Sequence, residues 1–155
     1  MEDFQAAFKE RNADVEALHA AQRRTAAMHF GGVAVECLLK AIVGASLPTN
    51  SRGEREWKTE TNDPGHTISR PGHEFDKILG AHQKLRSRVQ MNPGALKWLN
   101  DVEHPGCPFI NMRYLGKETE TSDAQEKYKR WRKSYTSLVG WLQMQETQFY
   151  KEIQR

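Results

Sequence analysis

Residues 26–46, AAMHFGGVAVECLLKAIVGAS, constrain this chain more than any other stretch. Nearly every position is apolar or small, so the helix it forms must be covered by protein on almost all sides. Three ionisable residues interrupt it: His29, Glu36 and Lys40. At roughly 100° per residue, Gln22, Thr25, His29, Gly32, Glu36 and Lys40 fall in one narrow stripe. A central helix that keeps a polar stripe is burying ionisable groups, and those need partners.

The remaining sequence supplies helices to cover it. Residues 2–20 form a first amphipathic helix, with Phe4, Phe8, Val15 and Leu18 on its apolar side. The second runs from about Arg23 to Ala45. It follows the first with only a slight joint near Ala20, since no Gly or Pro separates them. Gly31 and Gly32 lower its helix propensity and mark either close approach of a neighbour or a kink. Residues 46–71 carry Pro48, Gly53, Pro64, Gly65 and Pro71 and show no periodicity, which predicts a long polar loop. A third helix is expected over Gly72–Gln90 and a short fourth over Asn92–Glu103. Residues 104–120 read as irregular, being rich in Pro and Gly. The last helix spans about Ser122–Glu152, capped by Ser122 or Thr121, with a seam of Tyr128, Trp131, Tyr135, Leu138, Leu142, Phe149 and Ile153. The expected fold is all-α, a bundle of four or five helices with a long polar loop between helices two and three. Residues 1–155 are expected to form a single domain.

Lys and Arg number 23 against 20 Asp and Glu, and a net charge of +3 is too small to argue for nucleic acid by itself. The local runs KYKRWRK (127–133) and KLRSR (84–88) are more basic. In the first, Tyr128 and Trp131 belong either to the core seam, with the cations as its wet face, or to an RNA-facing stripe. Cys37 and Cys107 form no CxxC pair and no zinc spacing. The N-terminus resembles neither a signal nor a transit peptide, and no charge-free apolar run reaches about 18 residues. No membrane association is expected, and the expected location is cytoplasmic.

Several constellations could carry chemistry. Glu36 and Lys40 are an i, i+4 pair in the favourable order, flanked by apolar residues, and read either as a buried structural pair or as functional groups. Losing one member of such a pair costs about 3–5 kcal/mol, so Lys40→Ala should destabilise far more than a surface change such as Lys58→Ala. Arg24 or Arg23 with His29 could act on a phosphodiester, the His exchanging a proton and the Arg holding charge. His66 and His73 each end a PGH triplet, which suits a turn better than a metal site. Arg113 and Tyr114, between Met112 and Leu115, suggest an anchored, aimed arginine.

Three of these segments together resemble the HEPN domains (higher eukaryote and prokaryote nucleotide-binding). HFGGVAVECLLKA at 29–41 is similar to a family helix of the form A-G-x-A-x-E-x-x-L-K-A, through Gly32, Ala34, Glu36, Leu39, Lys40 and Ala41. GHEFDKIL at 72–79 matches a G-H-x-x-x-x-L helix start through Gly72, His73 and Leu79. NMRY at 111–114 supplies the later R-Y as Arg113 and Tyr114. The resemblance implies an all-α bundle that usually dimerises, with a cleft near the two-fold axis. Many members are metal-independent endoribonucleases of toxin–antitoxin or antiviral systems; others bind nucleotides or RNA without cutting. Catalytic branches carry Arg, a polar residue, then His within four to six residues, which Arg24-Thr25-x-x-x-His29 satisfies loosely. Here that motif precedes the Glu–Lys segment, and Thr follows the Arg where Asn, Asp or His is commoner. The implied roles are His29 as general acid/base, Arg24 or Arg113 as phosphate clamp and His73 as a second proton-transfer or positioning group. Glu36, Lys40, Arg113 and Tyr114 would line an RNA or nucleotide site. Neither metal nor cofactor is expected. The expected partners are a second copy, RNA or a nucleotide, and a protein encoded nearby. The alternative is a non-catalytic module that binds nucleotide, RNA or protein, in which Glu36, Lys40, His73, Arg113 and Tyr114 satisfy one another inside the bundle.

Overall fold

A computed structural model describes residues 3–53, 55, 57, 72–116 and 121–154. Among these the chain is all-α: α1 (Phe4–Ala20), α2 (Arg24–Ser46), α3 (Phe75–Leu79), α4 (Gln83–Gln90), α5 (Pro93–Glu103), a 3-10 helix (Phe109–Tyr114) and α6 (Ser122–Ile153). Most of the predicted 46–71 loop, including Lys58 and His66, lies outside the described residues.

Asp3 starts α1 by accepting the Ala6 amide at 3.0 Å. At the other end the Arg23 amide donates to the Leu18 carbonyl and the Gln22 amide to the His19 carbonyl, a Schellman cap. Gln22 takes the left-handed position, φ +57°, where Gly is usual. The chain therefore reverses instead of passing through a slight joint. Arg11 stands over the Phe30 ring and Lys40 over the Phe4 ring, so α2 runs back antiparallel along α1. No Gly or Pro announces this reversal; backbone hydrogen bonds and the packing of the two helices hold Gln22 in place.

α2 is the central element, touching α1, α3, α5, α6 and the 3-10 helix. By length and composition it could also cross a membrane, but most of its apolar stretch is buried by its neighbours. The glycine pair admits aromatic rings. A Cβ at Gly31 would lie 2.3 Å from the Trp131 ring, and one at Gly32 would lie 2.1 Å from that of Phe109. The glycines thus serve close approach, by side chains from α6 and from the 3-10 helix.

The predicted third helix is two helices. Gly80 and Ala81 interrupt it, and His82 starts α4 by accepting the Leu85 amide at its Nδ1, 3.1 Å away. Asn92 caps α5 through the Ala95 amide, with Pro93 in the first turn. The 104–120 segment is less irregular than expected, since Phe109–Tyr114 winds into a 3-10 helix.

Thr121 caps α6 through the Ala124 amide. Its seam of Tyr128, Trp131, Tyr135, Leu138 and Leu142 is buried, Phe149 is half-buried and Ile153 is exposed. His19, Tyr128, Trp131 and Tyr135 form a continuous aromatic ladder. Polar clamps hold α6 along its length. Arg132 binds both oxygens of Glu16 at 2.7 Å, Ser134 donates to Asp101, Tyr135 donates to Asn12, and Lys84 and Arg88 both reach Glu152. The aromatics of KYKRWRK are therefore core, and the Glu16 carboxyl is held below its usual range by the Arg132 hydrogen bond.

Candidate functional site

From His29 to Glu36 the stripe predicted on α2 faces the 3-10 helix and the chain leading into α3, and Lys40 joins it through Glu36. Gln22 falls outside it, in the turn. At the middle of the stripe the Phe109 ring rests on the bare backbone of Gly32. Phe75 stacks on Phe109, centroids 5.5 Å apart. This aromatic pair divides the polar groups into two sets.

On the N-terminal side is half-buried His29. Its Nδ1 lies 2.9 Å from the Phe109 carbonyl oxygen. A carbonyl only accepts, so Nδ1 carries the hydrogen and Nε2 is the basic nitrogen of the neutral ring. The edge of the Phe30 ring packs beside it. One bond thus fixes both the tautomer and the orientation of the imidazole.

On the C-terminal side is Glu36, whose side chain is only 8% exposed. Lys40 Nζ donates to its Oε1 at 2.7 Å, and His73 Nδ1 lies 2.9 Å from both carboxylate oxygens. Lys40 is 12% exposed, and its ammonium also sits over the Phe4 ring. His73 is 57% exposed, with one face in solvent. The expected buried, hydrogen-bonded Glu–Lys pair is present, and His73 completes it from a residue far along the chain. Just beyond His73 the Phe75 amide donates to Glu103 Oε2 at 2.7 Å, which fastens the start of α3 to α5.

The other sequence candidates separate. Arg24 and His29 are five residues apart and so point about 140° apart on a helix. Arg24 stands over the Tyr128 ring of α6, whereas His29 meets the 3-10 helix. They do not converge. Arg113 and Tyr114 are not part of a buried network, because both are exposed at the end of the 3-10 helix. The Arg113 guanidinium lies 4.7 Å over the Tyr114 ring, and Tyr114 is 72% exposed. Neither Arg24 nor Arg113 has an acidic partner among the described residues.

Among the described residues no three His, Cys, Asp or Glu side chains gather as a metal site would require. Cys37 and Cys107 are free and partly buried, and burial pushes the Cys37 thiol up. Sequence reasoning missed a polar pair elsewhere, Gln5 with Glu146, at the far end of α2. Their only signal was two unremarkable positions on α1 and α6. No family model matches the chain, and neither does any curated protein or solved structure.

Proposed function

We propose that the chain is a HEPN-like, RNA-acting helical protein that contacts RNA through Arg113 and Tyr114. The observation that carries this reading is the exposed, stacked pair itself, without an acidic partner among the described residues. A guanidinium offers charge to a phosphate, and a solvent-facing ring offers a platform to a base; single-stranded RNA needs both. The 3-10 helix that presents them is seated by Phe109 on Gly32 and tied by His29, so the pair stands on a rigid base. Glu36 bonds both Lys40 and His73, and the role of the three in this reading is to hold the chain before α3 on α2.

Fluorescence anisotropy with a labelled single-stranded RNA tests it. Arg113→Ala and Tyr114→Ala should each weaken binding about tenfold, within the ~1–3 kcal/mol that one stacked base contributes. Unchanged affinity in both variants sinks the reading.

A specific observation supports a second, catalytic version. His29 has the fixed tautomer that a general base requires, with Nε2 unencumbered by any hydrogen bond among the described residues. Arg113, on the helix that His29 holds, replaces Arg24 as the phosphate clamp. The toxin–antitoxin or antiviral setting, the homodimer and a neighbouring partner protein rest on the family resemblance. The catalytic version expects cleavage in EDTA that His29→Gln abolishes while RNA binding persists. An intact substrate with wild-type protein removes catalysis and leaves the binding module.

A further inference from the structure

A second site lies at the other end of the bundle. A cavity of about 660 Å³ opens between the start of α1, the end of α2 and the last turns of α6. Small-molecule sites occupy roughly 300–1,000 Å³. Ala41 and Ala45, one turn apart on α2, leave the space open. Ile42, Phe149 and Ile153 give it an apolar lining.

Of the polar side chains around it, Ser46 and Thr147 donate to carbonyls of their own helices, His82 caps α4, Tyr150 is exposed and Glu152 pairs with Lys84 and Arg88, which leaves Gln5 and Glu146. The Gln5 side-chain amide is close enough to the Glu146 carboxyl to lower its pKa. Gln5 Oε1 is buried and has no hydrogen-bond partner among the described residues. Glu146 has no cation within ion-pairing distance among the described residues; Lys9 acts on it only through its field. Burial pushes the Glu146 carboxyl up despite the opposing effects of Gln5 and Lys9. The Glu146 carboxyl thus lines a largely apolar cavity with no ion-paired cation among the described residues.

We propose that this cavity binds a small organic amine, with its apolar body against Ile42, Phe149 and Ile153 and its ammonium donating to Glu146. An ammonium supplies up to three N–H donors and the opposite charge. An alcohol supplies one donor and no charge. A carboxylate would set acceptor against acceptor. The proposal does not depend on the RNA reading, since the residues involved are distinct from the α2 stripe and from Arg113.

The test titrates 4-phenylbutylamine, 4-phenylbutan-1-ol and 4-phenylbutyrate into the ¹⁵N-labelled full chain at neutral pH. The Gln5 side-chain amide and the Ala45 and Phe149 backbone amides report the site. The amine should bind at least tenfold tighter than the alcohol, with the carboxylate weakest. Glu146→Gln, nearly the same shape, should bring the amine down to the alcohol's affinity without lowering the melting temperature. Ala45→Trp should block all three. Equal affinities, an amine preference that survives Glu146→Gln, or shifts confined to other residues would overturn the proposal. So would a dimer in light scattering that Ala45→Trp dissociates, because the cavity would then be a seat for a second copy.

Discussion

At Glu36 one carboxylate holds two partners, and this makes the costs of removing them unequal. Without Lys40, Glu36 keeps His73; without Glu36, Lys40 is left over the Phe4 ring with no anion within reach among the described residues. Stranding one member of a buried ion pair costs about 3–5 kcal/mol. Lys40→Ala should fall at or below the lower end of that range, and Glu36→Ala should fall within it. About 1 kcal/mol moves the melting temperature of a chain this long by roughly 2–4 °C. Calorimetry should therefore rank Glu36→Ala below Lys40→Ala, and both well below Lys97→Ala, an exposed lysine without an ion pair among the described residues. Equal melting for Lys40→Ala and Lys97→Ala would mean that the pair is solvated. The pair was legible because an i, i+4 spacing inside an apolar run leaves it nowhere else to go. His73 was not legible from spacing, since its partner is brought to it by the fold; only the family resemblance marked it. The alternative in which Arg113 and Tyr114 join a buried network fails, because a 3-10 helix turns Met112 inward and leaves both outside.

Helix existence was legible from apolar periodicity, and helix ends were legible wherever a side chain caps them, as at Asn92 and Thr121. The ends that were missed depend on signals of another kind. The α1–α2 turn uses Gln22 at a positive φ, and the α3–α4 break uses a histidine as its cap. That cap gives α4 a pH dependence. The Leu85 amide donates to His82 Nδ1, which accepts only while it carries no proton. Burial, with Arg88 and Lys84 nearby, holds His82 below the usual histidine value. The unfolded chain therefore takes up the proton first. The cap's contribution is complete above about pH 6.5, the ordinary histidine value, and is lost as pH falls below it toward the depressed folded value. His82→Asn keeps an acceptor for capping and does not titrate, so its melting temperature should fall less than wild type between pH 7 and pH 5. Parallel pH profiles would exclude His82 as the cause. Gly32 sets a steric limit on the same scale. Gly32→Ala places a methyl inside the Phe109 ring and should cost about 1–3 kcal/mol, the usual penalty for overpacking. It should also shift the His29 ring resonances, because the carbonyl that holds them moves with Phe109.

The whole molecule is a hairpin with a long strut laid across it. α1 and α2 are adjacent in sequence, and α6 reaches them from the other end of the chain. All-α architecture followed from the sequence because amphipathic patterns of helical period run through most of the chain. The element count did not, since breaks and reversals are set by local hydrogen bonds that periodicity does not record. α6 spans about 48 Å at 1.5 Å per residue. Its clamps lie on α1, α4 and α5 and are thus spread along the bundle. The α1–α2 turn has a consequence in time. Closing Arg11 onto Phe30 needs only a short loop, whereas seating Trp131 on Gly31 must gather a hundred residues of chain. Contacts of low sequence separation form at lower entropic cost, so the hairpin should be organised in the folding transition state and α6 should dock after it. In stopped-flow experiments Val15→Ala should chiefly slow refolding, while Leu142→Ala should chiefly speed unfolding. On this order the Schellman turn at Gln22 starts the clock, and the lifetime of the native state is set at the other end of the chain, by how fast the α6 strut lets go.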